Sequence, residues 1–166
     1  MVDHAAAADP LAAPEPRLPG LAKSMSKALK LRADGRNDEA RKVLQEILLA
    51  EPRLAEPRLE LAWLGAARED WEEAEAQARL AVEILEAGGQ WSDDLEPDQM
   101  LAFALTLLGE VLVRPLEEGD LFLVDRGAFT EQWNEAAALF QRAVKLDEEN
   151  EDARRNRSRY RPISED

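Results

Sequence analysis

The stretch EDWEEAEAQARLAVEILE, residues 69–86, opens on an acidic turn and then keeps small residues at fixed helical places. Working outward, the same arrangement occurs in GRNDEARKVLQEILLAEP at 35–52 and in TEQWNEAAALFQRAVKLDEE at 130–149. Ala40 and Ala74 are 34 residues apart, and Ala136 takes the same place in the third copy. A period in this range marks a helical repeat array, in which each unit buries its apolar face only against its neighbours.

The apolar spacing assigns the helices. Leu21, Met25, Ala28, Leu29 and Leu31 fall on one face of a first helix that starts after Pro19-Gly20 and ends at the turn Asp34-Gly35. A second helix from about Asn37 to Ala50 turns Ala40, Val43, Leu44 and Ile47 inward, and Pro52 stops it. A third places Pro57 in its first turn and carries Leu59, Ala62, Trp63 and Ala66. Glu69-Asp70 breaks it. Asp70 with Glu73 resembles a capping box, and Trp71, Ala74, Ala78 and Ala81 line the helix that follows until Gly88-Gly89.

Beyond this point the spacing slips. The excess divides into two expected inserts, the acidic linker GGQWSDDLEPDQ at about 89–100 and RPLEEGDLFLVDRGAF at about 114–129. Between them LAFALTLLGEVLV reads as a helix with a broad apolar face. Thr130 is read as the N-cap of the next helix, which runs to about Leu146, and a terminal helix spans about Asn150 to Tyr160.

These features resemble a tetratricopeptide repeat protein, whose unit is an antiparallel helix pair with small residues where the helices cross. The crossing places hold Ala28, Ala62 and Gly109 in the first helices and Ala40, Ala74 and Ala136 in the second, with Ile47, Ala81 and Ala143 one turn or two further on. Trp71 and Trp133 follow their turns; Asn37 stands there in the first unit, and the closing proline is present only as Pro52. The resemblance implies an all-α fold: a right-handed superhelical array of about three antiparallel helix pairs plus a C-terminal capping helix. The repeat domain covers 20–161, between an Ala/Pro-rich arm at 1–19, expected to be mobile, and a tail at 162–166.

In such an array the first helix of each pair lines the concave face. The resemblance places Met25, Leu29 and Arg32, then Leu59, Trp63 and Ala66, then Phe103, Thr106, Glu110 and Val113 in that groove. The groove is mostly apolar and lacks the Lys, Asn and Arg with which some family members grip a C-terminal carboxylate. It suits an amphipathic helix or an apolar peptide, or else packs on residues of its own chain. The run Leu121-Phe122-Leu123-Val124 is too apolar for a solvated loop. It is expected to be ordered and buried as a short extended segment on its own array, with the groove and a second subunit (a homodimer) as the other places for it.

Chemistry is sparsely represented. There is no cysteine, the single histidine is His4, and Gly88-Gly89 has no following lysine to make a phosphate loop. Glu69, Glu72, Glu73 and Glu75 are a helix-start charge run, favourable to the helix dipole. Glu117, Glu118, Asp120 and Asp125 lack calcium-loop spacing. The chain is therefore read as a non-enzyme without cofactor or metal. Its formal charge is −14, and the arginines at 154, 155, 157, 159 and 161 give the C-terminal end a local excess of three positive charges, so residues 1–152 carry −17. An acidic body repels phosphate backbones, so no nucleic-acid partner is expected. The start lacks a basic region before an apolar stretch and no 18 apolar residues run together, so neither a signal peptide nor a membrane span is expected and a cytoplasmic location follows. The functional expectation is a protein- or peptide-binding scaffold or adaptor working through the apolar groove. The alternative is a small acidic chaperone of the secretion type, holding an apolar client segment.

Overall fold

The computed structural model describes residues 19–164; His4 and most of the N-terminal arm lie outside them. Eight helices and no strand occur among the described residues, each helix packed on its neighbours. Helix α1 (Pro19–Ala33) pairs with α2 (Asn37–Ala50), and α3 (Ala55–Ala67) pairs with α4 (Trp71–Glu86). Helix α5 (Pro97–Glu118) packs on both α4 and α7 (Arg126–Leu146), with the single turn α6 (Leu121–Val124) between the two long helices. Helix α8 (Glu151–Arg159) closes the end against α7 and α5.

The small residues that defined the repeat are where the helices meet. Ala28, Ala40, Ala62, Ala74, Ala81, Ala136 and Ala143 are all buried, as is Ile47. At the α3–α4 crossing the approach is close enough that a Cβ on Gly65 would lie 3.2 Å from the Ala74 backbone nitrogen. Small side chains permit that approach, because a larger one would wedge the helix axes apart. At the α5–α7 crossing the small partner is Gly109, which faces the buried ring of Phe140. Two apolar clusters result. One joins α1 and α2 to Leu54, Leu61 and Leu64 of the α3 region, and the larger one spans α3, α4, α5, α7 and α8.

The turns are built alike. After α1, the Gly35 N–H donates to the Arg32 carbonyl and the Arg36 N–H to the Leu31 carbonyl, with Gly35 at φ 76°. After α3, Glu69 donates to Ala66 and Asp70 to Gly65, with Glu69 itself at φ 61°. After α4, Gly88 donates to Leu85 and Gly89 to Ile84. Each is the left-handed helix ending that satisfies otherwise orphaned carbonyls. Asp70 then caps α4, its side chain accepting from the Glu73 N–H at 3.2 Å. That backbone hydrogen bond, followed by the Arg68 guanidinium, holds the Asp70 carboxyl below the ordinary carboxylate range.

The first expected insert is a linker, which ends where α5 begins at Pro97, and the second is corrected by the structure. The linker before α5 is held down: the buried Glu56 carboxylate accepts from the Trp91 N–H at 2.9 Å and the Ser92 N–H at 2.8 Å, and the Trp91 side chain packs against the first cluster. The stretch 114–129 is helical over most of its length. Helix α5 continues through Pro115 to Glu118, because Leu116 still finds a buried place one turn beyond Leu112. Helix α7 begins four residues before Thr130. Its N-cap is Asp125, which accepts from the Ala128 N–H at 2.9 Å, and the Thr130 hydroxyl merely donates back to the Arg126 carbonyl inside the helix. Over an 18-residue window α5 has mean hydropathy 1.4, enough in length and apolarity to cross a bilayer, and 67% of that window is buried within the fold. Packing between α4 and α7 accounts for the apolarity.

Candidate functional site

Each of the first helices carries a large apolar side chain left partly in solvent. Trp63 on α3 is 42% exposed, Phe103 on α5 is 46% exposed and Leu29 on α1 is 38% exposed. Arg32 ties the α1 and α3 parts together. Its guanidinium lies 5.0 Å from the Trp63 ring centre and 3.1 Å from the Glu60 carboxylate. Burial raises the Glu60 pKa, and the charge of Arg32 partly opposes that shift. An arginine flattened on an indole face extends the aromatic surface while keeping its charge in water.

Beside Trp63 a cleft of about 230 Å³ separates α3 and the start of α4 from α5. Trp63, Ala66 and Trp71 form one wall, and Leu107, Glu110 and Arg114 form the other. Phe103 stands one turn before Leu107 on the same face of α5, so the aromatic surface and the cleft adjoin. Glu110 accepts from the Asn156 side-chain amide at 2.7 Å, which fixes its carboxylate at the cleft edge. The cleft thus offers two indoles, an aliphatic floor, one fixed carboxylate and the guanidinium of Arg114.

Several expected groove residues are elsewhere. Leu59 is buried in the larger core cluster, Val113 is fully buried, and Thr106 is buried with its hydroxyl donating to the Ala102 carbonyl at 2.8 Å. Met25 is half-buried against the α1–α2 cluster. Leu59 and Met25 stand one turn before the exposed Trp63 and Leu29, only about 40° around their helices, so packing by neighbouring elements rather than a different helix face covers them. Conversely, Trp71, Leu107 and Arg114 line the cleft without having been assigned to it. For α5 the signal was present: positions 103, 107, 110 and 114 follow the three-and-four spacing of one helix face.

The apolar run of α6 also departs from expectation. It is a helical turn rather than an extended segment, and it is not buried: Phe122 is 47%, Leu123 83% and Val124 76% exposed, with Leu121 half-buried. The turn is short and ends at Asp125, so it has one inward position, which Leu121 takes.

Among the described residues, no group of three or more His, Asp or Glu is placed to hold a metal ion. Of the acidic residues around α6, Glu117 is engaged by Arg159 at 2.8 Å and by the Tyr160 hydroxyl at 3.0 Å. Burial, and then the hydrogen bond to Glu117, raise the Tyr160 pKa above its ordinary value. No protein-family model and no curated protein matches this chain.

Proposed function

We propose that this chain is a tetratricopeptide-like scaffold that binds a helix or peptide of another protein along the face formed by Leu29, Arg32, Trp63, Phe103 and the adjoining cleft. The observation that carries the reading is the half-exposed Trp63, backed by Arg32 on one side and open to the cleft on the other. Large aromatics at such places commonly act as anchors, because they bury much area at small entropic cost. The proposal includes the stacking of α1–α2, α3–α4 and α5–α7 as three pairs in a right-handed superhelix capped by α8. Its support is the packing order: α2 lies on α3, α4 on α5, and the first helices α3 and α5 touch each other.

The same face serves the alternative reading, a small acidic chaperone that shields an apolar client segment. Charge favours it to the extent that an acidic body stays soluble while offering apolar contact. Affinity capture from the source lysate with the wild-type chain and with Trp63→Ala separates the outcomes. Retention of a few assembly components by the wild type supports the scaffold, and retention of a secreted apolar segment supports the chaperone. Trp63→Ala should weaken the captured complex by about 2 kcal/mol or more, roughly thirtyfold in Kd. Its thermal midpoint should move little, since the ring is half in solvent already. Equal capture by both proteins would remove this face from the binding site.

A further inference from the structure

We propose that α6 is a second docking element, a protruding apolar knob that takes an amphipathic protein segment carrying apolar and basic side chains side by side. The apolar part rests on exposure: three consecutive large side chains, Phe122, Leu123 and Val124, stand 47%, 83% and 76% in solvent. Contiguous exposed apolar groups of this size mark interaction sites more often than isolated ones do. The knob is also held in shape. Leu123 and Val124 donate to the Asp120 carbonyl at 2.8 and 3.2 Å, and Asp125 donates to Leu121 at 2.7 Å. Behind it the Phe122 ring meets Phe129 edge-on at 5.2 Å, Phe129 stacks on Trp133, and Trp133 meets the buried Tyr160. A turn anchored this way loses little further freedom on binding.

Charge decides the occupant. Residues 117–126 hold four carboxylates against one guanidinium, Arg126. Arg126 lies over the Phe122 ring at 5.5 Å, and Glu117 is paired with Arg159. Glu118, Asp120 and Asp125 make no ion pair among the described residues, so the rim that a partner meets is negative. A second copy meeting it tip to tip would bring the same acidic rim and another formal charge of −14. A partner helix with Lys or Arg beside its apolar face gains Coulombic attraction at the same contact. The site is independent of the Trp63 face.

The test uses the full chain and a synthetic helical peptide of about fourteen residues with Leu on one face and Lys on the other. A matched peptide with Glu in place of Lys is the control. Binding is measured by fluorescence anisotropy at low and high salt, and mass by sedimentation. The double variant Leu123→Ser/Val124→Ser should bind the Lys peptide about tenfold more weakly. Its thermal midpoint should be unchanged, because both side chains are already exposed. The pair Glu118→Gln/Asp120→Asn should weaken binding about threefold and flatten its salt dependence. Trp63→Ala should bind as the wild type does. Equal binding by the serine variant, equal binding of the Glu peptide, or loss of binding in Trp63→Ala would each overturn the proposal. So would a doubled mass in the wild type that the serine variant lacks, since the occupant would then be a second copy.

Discussion

The pairs α1–α2 and α3–α4 and the pair α5–α7 solve the same packing problem differently. In the first two, alanine meets alanine or glycine across the crossing, the turn comes soon afterwards, and the helices run 13 to 16 residues. In the third, Gly109 faces Phe140, the helices lengthen to 22 and 21 residues, and the excess length ends in the exposed tip α6. A crossing that pairs small with small depends on backbone approach. A crossing that pairs glycine with a ring depends on one side chain filling the space. The first kind is sensitive to insertion of bulk, the second to its removal.

The largest expected effect tests the second kind. Four residues beyond the crossing alanine stand Leu44, Ala78 and Phe140, all buried. Phe140 packs on Gly109 and stacks with Tyr160 at 5.5 Å. Phe140→Ala leaves a cavity bordered by a glycine, which cannot fill it. The expected loss is about 3–5 kcal/mol in chemical denaturation. A loss under about 1 kcal/mol would mean that α5 and α7 can close on a small residue as α3 and α4 do over Ala78, and the contrast would fail.

A smaller effect sharpens the other side. Ala74 is fully buried, and its backbone nitrogen is 3.2 Å from where a Gly65 Cβ would be. Ala74→Leu must displace main chain, and the expected cost is about 1–3 kcal/mol. At Gly109 an added Cβ would come within 2.5 Å of the buried Phe140 ring, which must shift, but the insertion there is one carbon against three for leucine at Ala74. Gly109→Ala also regains about 1 kcal/mol of helix propensity. Ala74→Leu should therefore cost more than Gly109→Ala, as read by parallel thermal melts. The reverse order would show that the α3–α4 crossing has slack which the distances do not suggest.

The same contrast explains which parts of the molecule could be read from sequence. The buried set Ala28, Ala40, Ile47, Ala62, Ala74, Ala81, Ala136 and Ala143 was legible because steric demand at a crossing leaves few residue types, which recur after 34 residues in the first two pairs and after 62 in the third. The tip was misread because Pro115, Gly119 and Gly127 look like breakers beside a carboxylate cluster, while the helical spacing of Leu112 to Leu116 and of Phe129, Trp133 and Phe140 runs on past them. Local turn signals were overridden by tertiary packing on α4 and α8. For the site, Trp63 and Phe103 were read on the exposed face, but Leu59, Thr106 and Val113 were not separable from it without knowing how far each helix rolls onto its neighbours. The exposure of Leu123 and Val124 has no local sequence signal, since an apolar run looks the same whether its partner is inside or outside the chain.

The smallest effect compares two turns of the legible half. Gly35 and Glu69 are 34 residues apart and occupy the same place in the same hydrogen-bonded ending, at φ 76° and 61°. For glycine that conformation is nearly free, whereas a side chain with a Cβ is strained there by about 1–2 kcal/mol. Glycine also enlarges the freedom of the unfolded chain, which returns part of the gain. Glu69→Gly should therefore stabilise the protein by about 0.5–1 kcal/mol, a rise of about 1–4 °C in Tm for a chain of this size. Gly35→Glu should lower it by a similar amount. Charge is a competing cause, because Glu69 adds to Asp70, Glu72 and Glu73 at the start of α4. Glu69→Gln removes the charge and keeps the Cβ, so it should leave Tm where it was. If Gln gained as much as Gly, relief of carboxylate repulsion and not backbone strain would separate the two turns.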